Sequence, residues 1–581
     1  MNYLAYVFAF FSFLIIDAKD IVLFASSGCY SHDIMMRQVG EQFDGFSNIT
    51  WIQVFMYNFG FEQLKRPRHW STVGFNRDSA KESRIIRDGG SLLWETTIPV
   101  DHNNPLDYRG AVLFFRILQQ NQLNCQDFLY LPAFQHFLRF KRPSLVVVDH
   151  FLQECMTPPS AYPKTGTLFS SKRMDKFGTR LANSLFHAFI VLARWLQSLF
   201  INAFYAKAGY GYIDMTDVES KHLLYAGRSE LLAESVRPIS NRIKHFGCDY
   251  CNSPDEYLIK QPNSQFQVHT LVHQKLRDTT KSPHISTFSD ANINQIKLLL
   301  PESPKFYFRR PDASLLCSNF CRKSASGITP SKSFATIKIH PIIASNTTIL
   351  EQRYLATQQN FPDLDLDLLE HHKFILVSFG SVAKVEFMPE ALLDIFLTTF
   401  GNSSFVVLWQ TNSPAEVMRK CLKGRKVAKN VHLMRWAPIK VLLAHKNLHY
   451  SILHGGINTV NEVLMFGVPV LGIPLQGDQP SNLQRLVELG VGEVLDIRSI
   501  WRGELTLKMR NLEHKYKLFS KRAKKIASMV NMHRKELSTN QRQTTQKFWL
   551  HWAERHGRKL KYATFFHLRF RGMRFTMDVK H

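Results

Sequence analysis

The chain has 581 residues, 45% of them hydrophobic and 21% charged. That leaves room for two or three packed domains, because single cores stop growing near roughly 250–300 residues. The apolar fraction excludes a disordered chain, and 28 Gly with 24 Pro exclude a collagenous one. The net charge of +26 invites a nucleic-acid partner, but its distribution argues against one. Between Trp501 and His581 there are 21 Lys/Arg against 5 Asp/Glu, and the preceding 500 residues carry only +10. A basic tail in solvent or near a membrane surface is the expectation.

Residues 3–16 form an apolar run of signal-peptide length, followed by Asp17-Ala18-Lys19. The expected signal peptide is therefore 1–18, cleaved after Ala18, and it routes the chain into the secretory pathway. The run is shorter than the roughly 20 residues that a spanning helix needs. Export gives meaning to three glycosylation sequons, beginning at Asn48, Asn346 and Asn402. Eight cysteines are too sparse for a disulfide scaffold, and 65 residues separate Cys248-x-x-Cys251 from Cys317-x-x-x-Cys321. No metal site is expected from them.

Strand Asp20–Ala25, the break Ser26-Ser27-Gly28 and helical spacing from Asp33 to Phe43 open the mature chain, and Pro143–Val148 forms another apolar strand ending at Asp149. Such strands separated by helices indicate a parallel sheet covered on both faces. Residues 181–204 are long and apolar, but carry Asn183, His187, Arg194 and Gln197. They read as a buried or membrane-surface helix. From Asn252 to Asp365 no period of 2 or 3.6 is sustained, as in an insertion, a long linker or a defective gene model. A second series then begins, with strands at 374–378, 404–409, 449–453 and 468–472 and helices at 390–400, 457–466 and 481–489. The expected fold is α/β, with two Rossmann-like βαβ domains facing a central cleft. The expected boundaries are 19–252 for the N-terminal domain, 253–365 for a poorly ordered insertion, 366–525 for the C-terminal domain and 526–581 for a helical, basic tail.

The most informative window runs from Trp436 to Gln479. His454-Gly455-Gly456 follows a strand and opens a helix, where free N–H groups and the helix dipole favour an anion. Asn458 and Thr459 add donors in the first turn. Glu462 lies about two turns beyond His454, within reach of ribose hydroxyls. Trp436 offers a face for base stacking, and Asp478-Gln479 suits sugar hydroxyls.

This window resembles the nucleotide-sugar signature of the UDP-glycosyltransferase family, which includes the UDP-glucuronosyltransferases. The resemblance extends to Ser378-Phe379-Gly380-Ser381, to Trp409 and back through the N-terminal half. It implies the GT-B plan, with the acceptor bound by the N-terminal domain and UDP-sugar by the C-terminal one. Carried over, Trp436 stacks on uracil and Glu462 holds the ribose. Ser381, His454, Gly455, Gly456, Asn458 and Thr459 surround the diphosphate, and Asp478 and Gln479 hold the sugar. The family's catalytic His corresponds to His32, with Asp149 orienting it. The implied reaction transfers glucuronate or glucose to a hydroxyl of a small lipophilic acceptor with inversion. His32 removes the proton, and no metal or further cofactor takes part. The resemblance also implies an endoplasmic reticulum location and membrane association, and leaves a homo-oligomer open.

The chain departs from the family at four places. Ile439 stands where Gln is usual, and Gln410 where many relatives carry Arg. The 253–365 segment replaces a short linker, and no 20-residue apolar stretch follows residue 500. These departures keep a second reading open, a catalytically impaired member that binds lipophile or nucleotide.

Overall fold

The computed structural model describes residues 19–25, 30–45, 47–54, 66–75, 89–98, 104, 106–117, 131–140, 143–149, 176–207, 212, 224–234, 243–247, 252–261, 348–537 and 545–557. The signal peptide, both cysteine pairs, the Asn346 sequon and most of the expected insertion lie outside them.

The first half contains β1 (Lys19–Ala25), α1 (Tyr30–Glu41), β2 (Ser47–Val54), β3 (Ser71–Phe75), α2 (Pro132–Phe140), β4 (Leu145–Val148), α3 (Phe177–Lys207) and the short pair β5 (Tyr225–Gly227) and β6 (Ile243–His245). Strands β1–β4 form a parallel sheet in the order β3-β2-β1-β4. Alternate residues of β1 enter two apolar layers. Ile21, Leu23 and Ala25 pack with Met36 and Val39 of α1, and Val22 packs with Phe134 and Phe137 of α2. A strand covered on both faces must be apolar along its whole length, which is why Asp20–Ala25 was legible.

The second half contains α4 (Ile349–Asn360), α5 (Leu366–His371), β7 (Phe374–Ser378), α6 (Glu390–Gly401), β8 (Val406–Gln410), α7 (Ala415–Leu422), β9 (Val431–Met434), α8 (Ile439–Ala444), β10 (Leu448–Leu453), α9 (Ile457–Phe466), β11 (Val470–Gly472), α10 (Gln479–Leu489), β12 (Gly492–Val494), α11 (Ile497–Trp501), α12 (Leu505–His514), α13 (Tyr516–Leu537) and α14 (Thr545–Gly557). Its sheet is parallel in the order β12-β11-β10-β7-β8-β9. Ile375 and Val377 of β7 pack with Phe396 and Trp409 on one face, and Phe374 and Leu376 pack with Val460 and Val530 on the other. The expected α/β plan with two parallel βαβ sheets is what the structure has.

The packing crosses three of the expected boundaries. Residues 349–365 are not linker: Thr348 and Glu351 form a capping box on α4, and Tyr354 and Leu364 enter the second half's core. Helix α13 runs through the boundary at 525, with Ala523 and Val530 in the same core. Leu550 and Ala553 of α14 join the apolar cluster of the first sheet that contains Ile21, Leu23 and Leu145, with α14 against β4.

Helix α3 is not buried as a whole. Leu181, Leu185, Phe189, Leu192, Trp195 and Leu199 are exposed, while Asn183 and Asn202 are buried. Among the described residues no helix is long and apolar enough to cross a membrane. Phe396 is fully buried against Phe379, Phe400 and Trp409. Its replacement by Ala should cost about 3–5 kcal/mol in a denaturant titration, whereas Trp195→Ser on the exposed face should stay within about 0.5 kcal/mol.

Candidate functional site

In each sheet the chain turns to opposite sides after two neighbouring strands, β1 and β4 in one and β7 and β10 in the other. The carboxyl ends of such a pair open a crevice in which open α/β sheets bind ligands. All four of these ends carry residues expected at the site.

His32 follows β1 and falls in the first turn of α1. Asp149 follows β4, and its N–H donates to the Phe24 carbonyl at 3.0 Å. His32 Nδ1 and Asp149 Oδ2 are 2.8 Å apart, and the carboxylate is almost fully buried while the imidazole keeps partial exposure. The ionised carboxylate can only accept, so Nδ1–H donates and Nε2 keeps its lone pair. Burial by itself pulls the imidazole's pKa down. The hydrogen bond and charge of Asp149 outweigh it, helped by the charges of Asp478 and Asp33, and the net shift is upward from 6.5. His32 is thus a base held in one tautomer by a fixed partner.

The strands β7 and β10 end in Gly380-Ser381 and His454-Gly455-Gly456. Gly380 turns at φ +75°, and a methyl group there would lie 2.4 Å from His454 Nε2. A methyl at Gly456 would lie 2.6 Å from the same nitrogen. The imidazole is therefore wedged between two glycines, and only these residues let the β7 and β10 turns close on it. Burial pushes the His454 pKa down to about 4, with a smaller opposing interaction from the Ser378 backbone, and Nδ1 has no hydrogen-bond partner. His454 is neutral at physiological pH.

Helix α9 starts directly beyond Gly456 without a side-chain cap, so its first N–H groups stay available to an anion. Asn458 donates to the Ser31 carbonyl at 3.4 Å, and its Oδ1 has no partner. Thr459 is half-buried on the same turn. Trp436 is half-buried and meets Tyr30 edge-on at 5.5 Å. Tyr30 and Ser31 thus touch the second half at Trp436 and at the start of α9.

Glu462 is buried, 3.9 Å from Lys440 Nζ. Burial raises its pKa to about 7, against the opposing charges of Lys440 and Arg228. Asp478 Oδ2 accepts from Asn482 at 2.7 Å. Gln479 Oε1 accepts from the N–H groups of Leu475 and Gln476 at 2.8 and 2.9 Å. That oxygen is committed to folding its own loop, which leaves only the amide nitrogen for a ligand.

Both departures near the site have a structural role. Gln410 donates to the Gly380 carbonyl at 3.3 Å and accepts from the Ala437 N–H at 3.2 Å, so it ties the Ser381 turn to the Trp436 loop. Ile439 packs against the second half's core, next to Lys440. Tyr30, Asn412 and Arg228 join the site without having been expected there. Asn412 donates to the carbonyls of Gly380 and Ala383 from a positive φ of 61°. Arg228 lends its carbonyl to Asn461 and its guanidinium to Gln38. Only Asn412, an Asn-Ser-Pro turn after a strand, left a readable signal. Among the described residues no group of three or more metal-ligating side chains occurs.

Residues 370–556 match the family model described as UDP-glucoronosyl and UDP-glucosyl transferase. These residues are a UDP-glycosyltransferase domain. The chain is 34% identical over 145 residues to an ecdysteroid UDP-glucosyltransferase of Lacanobia oleracea granulosis virus, covering 25% of this chain and 30% of that one. It is 32% identical over 140 residues to a rat (Rattus norvegicus) 2-hydroxyacylsphingosine 1-beta-galactosyltransferase, covering 24% of each. With the human (Homo sapiens) UDP-glucuronosyltransferase 3A1 it shares 31% identity over 174 residues, 29% of this chain and 31% of that one. The chain therefore spans about a third or less of the length of these curated relatives. Over 89% of its length it can be superposed on 96% of the glycotransferase of kitacinnamycin, with a TM-score of 0.43 and 12% identity.

The buried Glu462 makes stability depend on pH. A carboxyl whose folded pKa is raised favours the folded state less as pH rises from about 4.5 to about 7. Glu462→Gln should therefore raise the melting temperature at pH 8 and leave it unchanged at pH 4.5, in thermal scans run side by side.

Proposed function

We propose that the protein is a UDP-glycosyltransferase that moves a sugar from UDP to a hydroxyl of a small lipophilic acceptor, with inversion. The observation that carries this reading is the 2.8 Å His32–Asp149 pair docked, through Tyr30 and Ser31, against Trp436 and the start of α9. It joins a fixed base to a helix N-terminus suited to a diphosphate. Trp436 stacks on uracil and Glu462 accepts from the ribose hydroxyls. Ser381, His454, Asn458 and Thr459 take the diphosphate with the free N–H groups of α9. Asp478 and the Gln479 amide hold the sugar. Gly455 and Gly456 keep the backbone close.

His32 Nε2 takes the acceptor proton as the oxygen attacks the anomeric carbon. UDP leaves from the opposite face, and Asp149 stabilises the imidazolium formed. Charge developing on the leaving diphosphate falls at the positive end of α9. The donor is glucuronate or glucose, and the acceptor enters from the first half. The setting is the lumen of the secretory pathway. We place α3 on the membrane surface, because it exposes Leu185, Phe189, Leu192 and Trp195 and its sequence from Phe177 to Lys207 has three basic residues and no acidic one. Ile439, packed into the core instead of offering a polar group, favours a second reading in which the site binds nucleotide without turnover.

Incubating the full chain with UDP-glucuronate, UDP-glucose and simple phenols, read by mass spectrometry, separates the two. The transferase yields a product heavier by one sugar. UDP binding without product gives the site to the second reading. His32→Ala should lose activity by about 100-fold or more while UDP affinity in calorimetry is retained. Because His32 must be neutral, turnover should fall as pH drops through a value above 6.5. Asp149→Asn should move that limb to lower pH while reducing the rate.

A further inference from the structure

The second half's upper core is completed by residues of the first. Leu93, Trp94 and Ile98 are buried in one cluster with Val377, Phe379 and Leu475. Trp94 is fully buried and meets Phe379, the residue before Gly380-Ser381, edge-on at 5.2 Å. Its Nε1–H donates to the Lys384 carbonyl at 3.2 Å, and its own carbonyl accepts from Trp501 Nε1 at 3.0 Å. Four residues on, Ile98 N–H donates to the Leu475 carbonyl at 3.1 Å, and Gly477 N–H donates to the Ile98 carbonyl at 2.8 Å. That exchange is a parallel bridge to Gln476, two residues before Asp478. Thr96 and Thr97 are buried between the two anchors. Beyond them Asp107 pairs with Arg109 at 2.9 Å and with Arg498 at 2.5 Å, and Arg109 reaches back to Glu95 at 2.6 Å.

The two loops gripped in this way follow β7 and β11, with β10 and its His454 turn between them. Apolar burial alone would need no directional contacts. Here the segment ends on backbone groups of both loops, where a shift of one loop is felt by the other.

We propose that residues 93–98 act as a strap from the first half that fixes the spacing of the Ser381 and Asp478 loops, with Trp94 as its positioning residue. The proposal rests on the donor-site reading given above for those loops. Trp94 touches no substrate; it acts through Phe379 and Lys384. The donor site is therefore incomplete without the first half.

Trp94→Phe keeps a ring against Phe379 and removes the bond to Lys384. Trp51→Phe is the comparison, since Trp51 is equally buried in the first half's core and stacks on Trp70. Hydrogen exchange in the full-length chain reads the loops directly, at Val385 N–H, which donates to Thr411, and at Gly477 N–H. Trp94→Phe should speed exchange at both by about fivefold or more, the worth of one hydrogen bond, and should weaken UDP binding by a similar factor. Trp51→Phe should change neither, even where it lowers the melting temperature. Unchanged exchange in Trp94→Phe overturns the strap, as does equal loosening by both variants, which marks plain destabilisation. Faster exchange in Trp94→Phe alone, in a protein whose parent binds no UDP, upholds the strap and removes the donor reading instead.

Discussion

Everything at the site depends on one constraint of parallel sheets. A strand that feeds a helix and returns parallel must cross over one face, and where successive crossovers change face the two central strands part at their carboxyl ends. Each half of this chain has one such parting, at β1/β4 and at β7/β10. Every residue that departs from these ends is delivered to a crevice regardless of its distance along the chain, and this is how His32 and Asp149, 117 residues apart, come within 2.8 Å. The cores beneath are apolar on both faces of β7, so the strand ends cannot shift without disturbing two layers at once.

The two imidazoles at the site are tuned in opposite directions by the same burial. At His32 a carboxylate reverses the cost of desolvation, so the ring gains a proton readily and keeps one orientation. At His454 no carboxylate among the described residues counters the burial, and the ring stays neutral between two glycines. A neutral imidazole there can donate one hydrogen bond to an anion without having to lose a proton afterwards. Glu462 stands between these cases, with Lys440 and Arg228 only partly offsetting its burial.

Legibility followed burial pattern. Residues 21–25 of β1 and the strands Phe374–Ser378 and Leu448–Leu453 are buried on both faces and read as apolar runs. The strand β2 escaped because SNITWIQV mixes Ser, Asn, Thr and Gln with its core residues, and β9 and β12 are only four and three residues long. Helix α4 (ILEQRYLATQQN) has too few apolar residues for a period to show, although the Thr348–Glu351 capping box was there to be read. The His454-Gly455-Gly456 turn and the helix after it were plain, since glycines after an apolar strand have few other uses. The roles of Tyr30, Arg228 and Trp94 are tertiary. Nothing local distinguishes an aromatic that will meet Trp436 or Phe379 from one that fills an ordinary core.

The return of α14 to the first sheet has a consequence for how the chain is made. Leu550 and Ala553 share one apolar cluster with Ile21 and Leu23, roughly 530 positions earlier in the chain. The first sheet therefore leaves a translating ribosome with α1 already over that face but without the part of its cover that α14 supplies, and waits for it until residue 553 has emerged. Closing so long a loop is slow relative to local contacts. For that interval the part of the first sheet left open depends on whatever shields apolar surface in its surroundings, so α14 acts as a timing element for completing the first sheet.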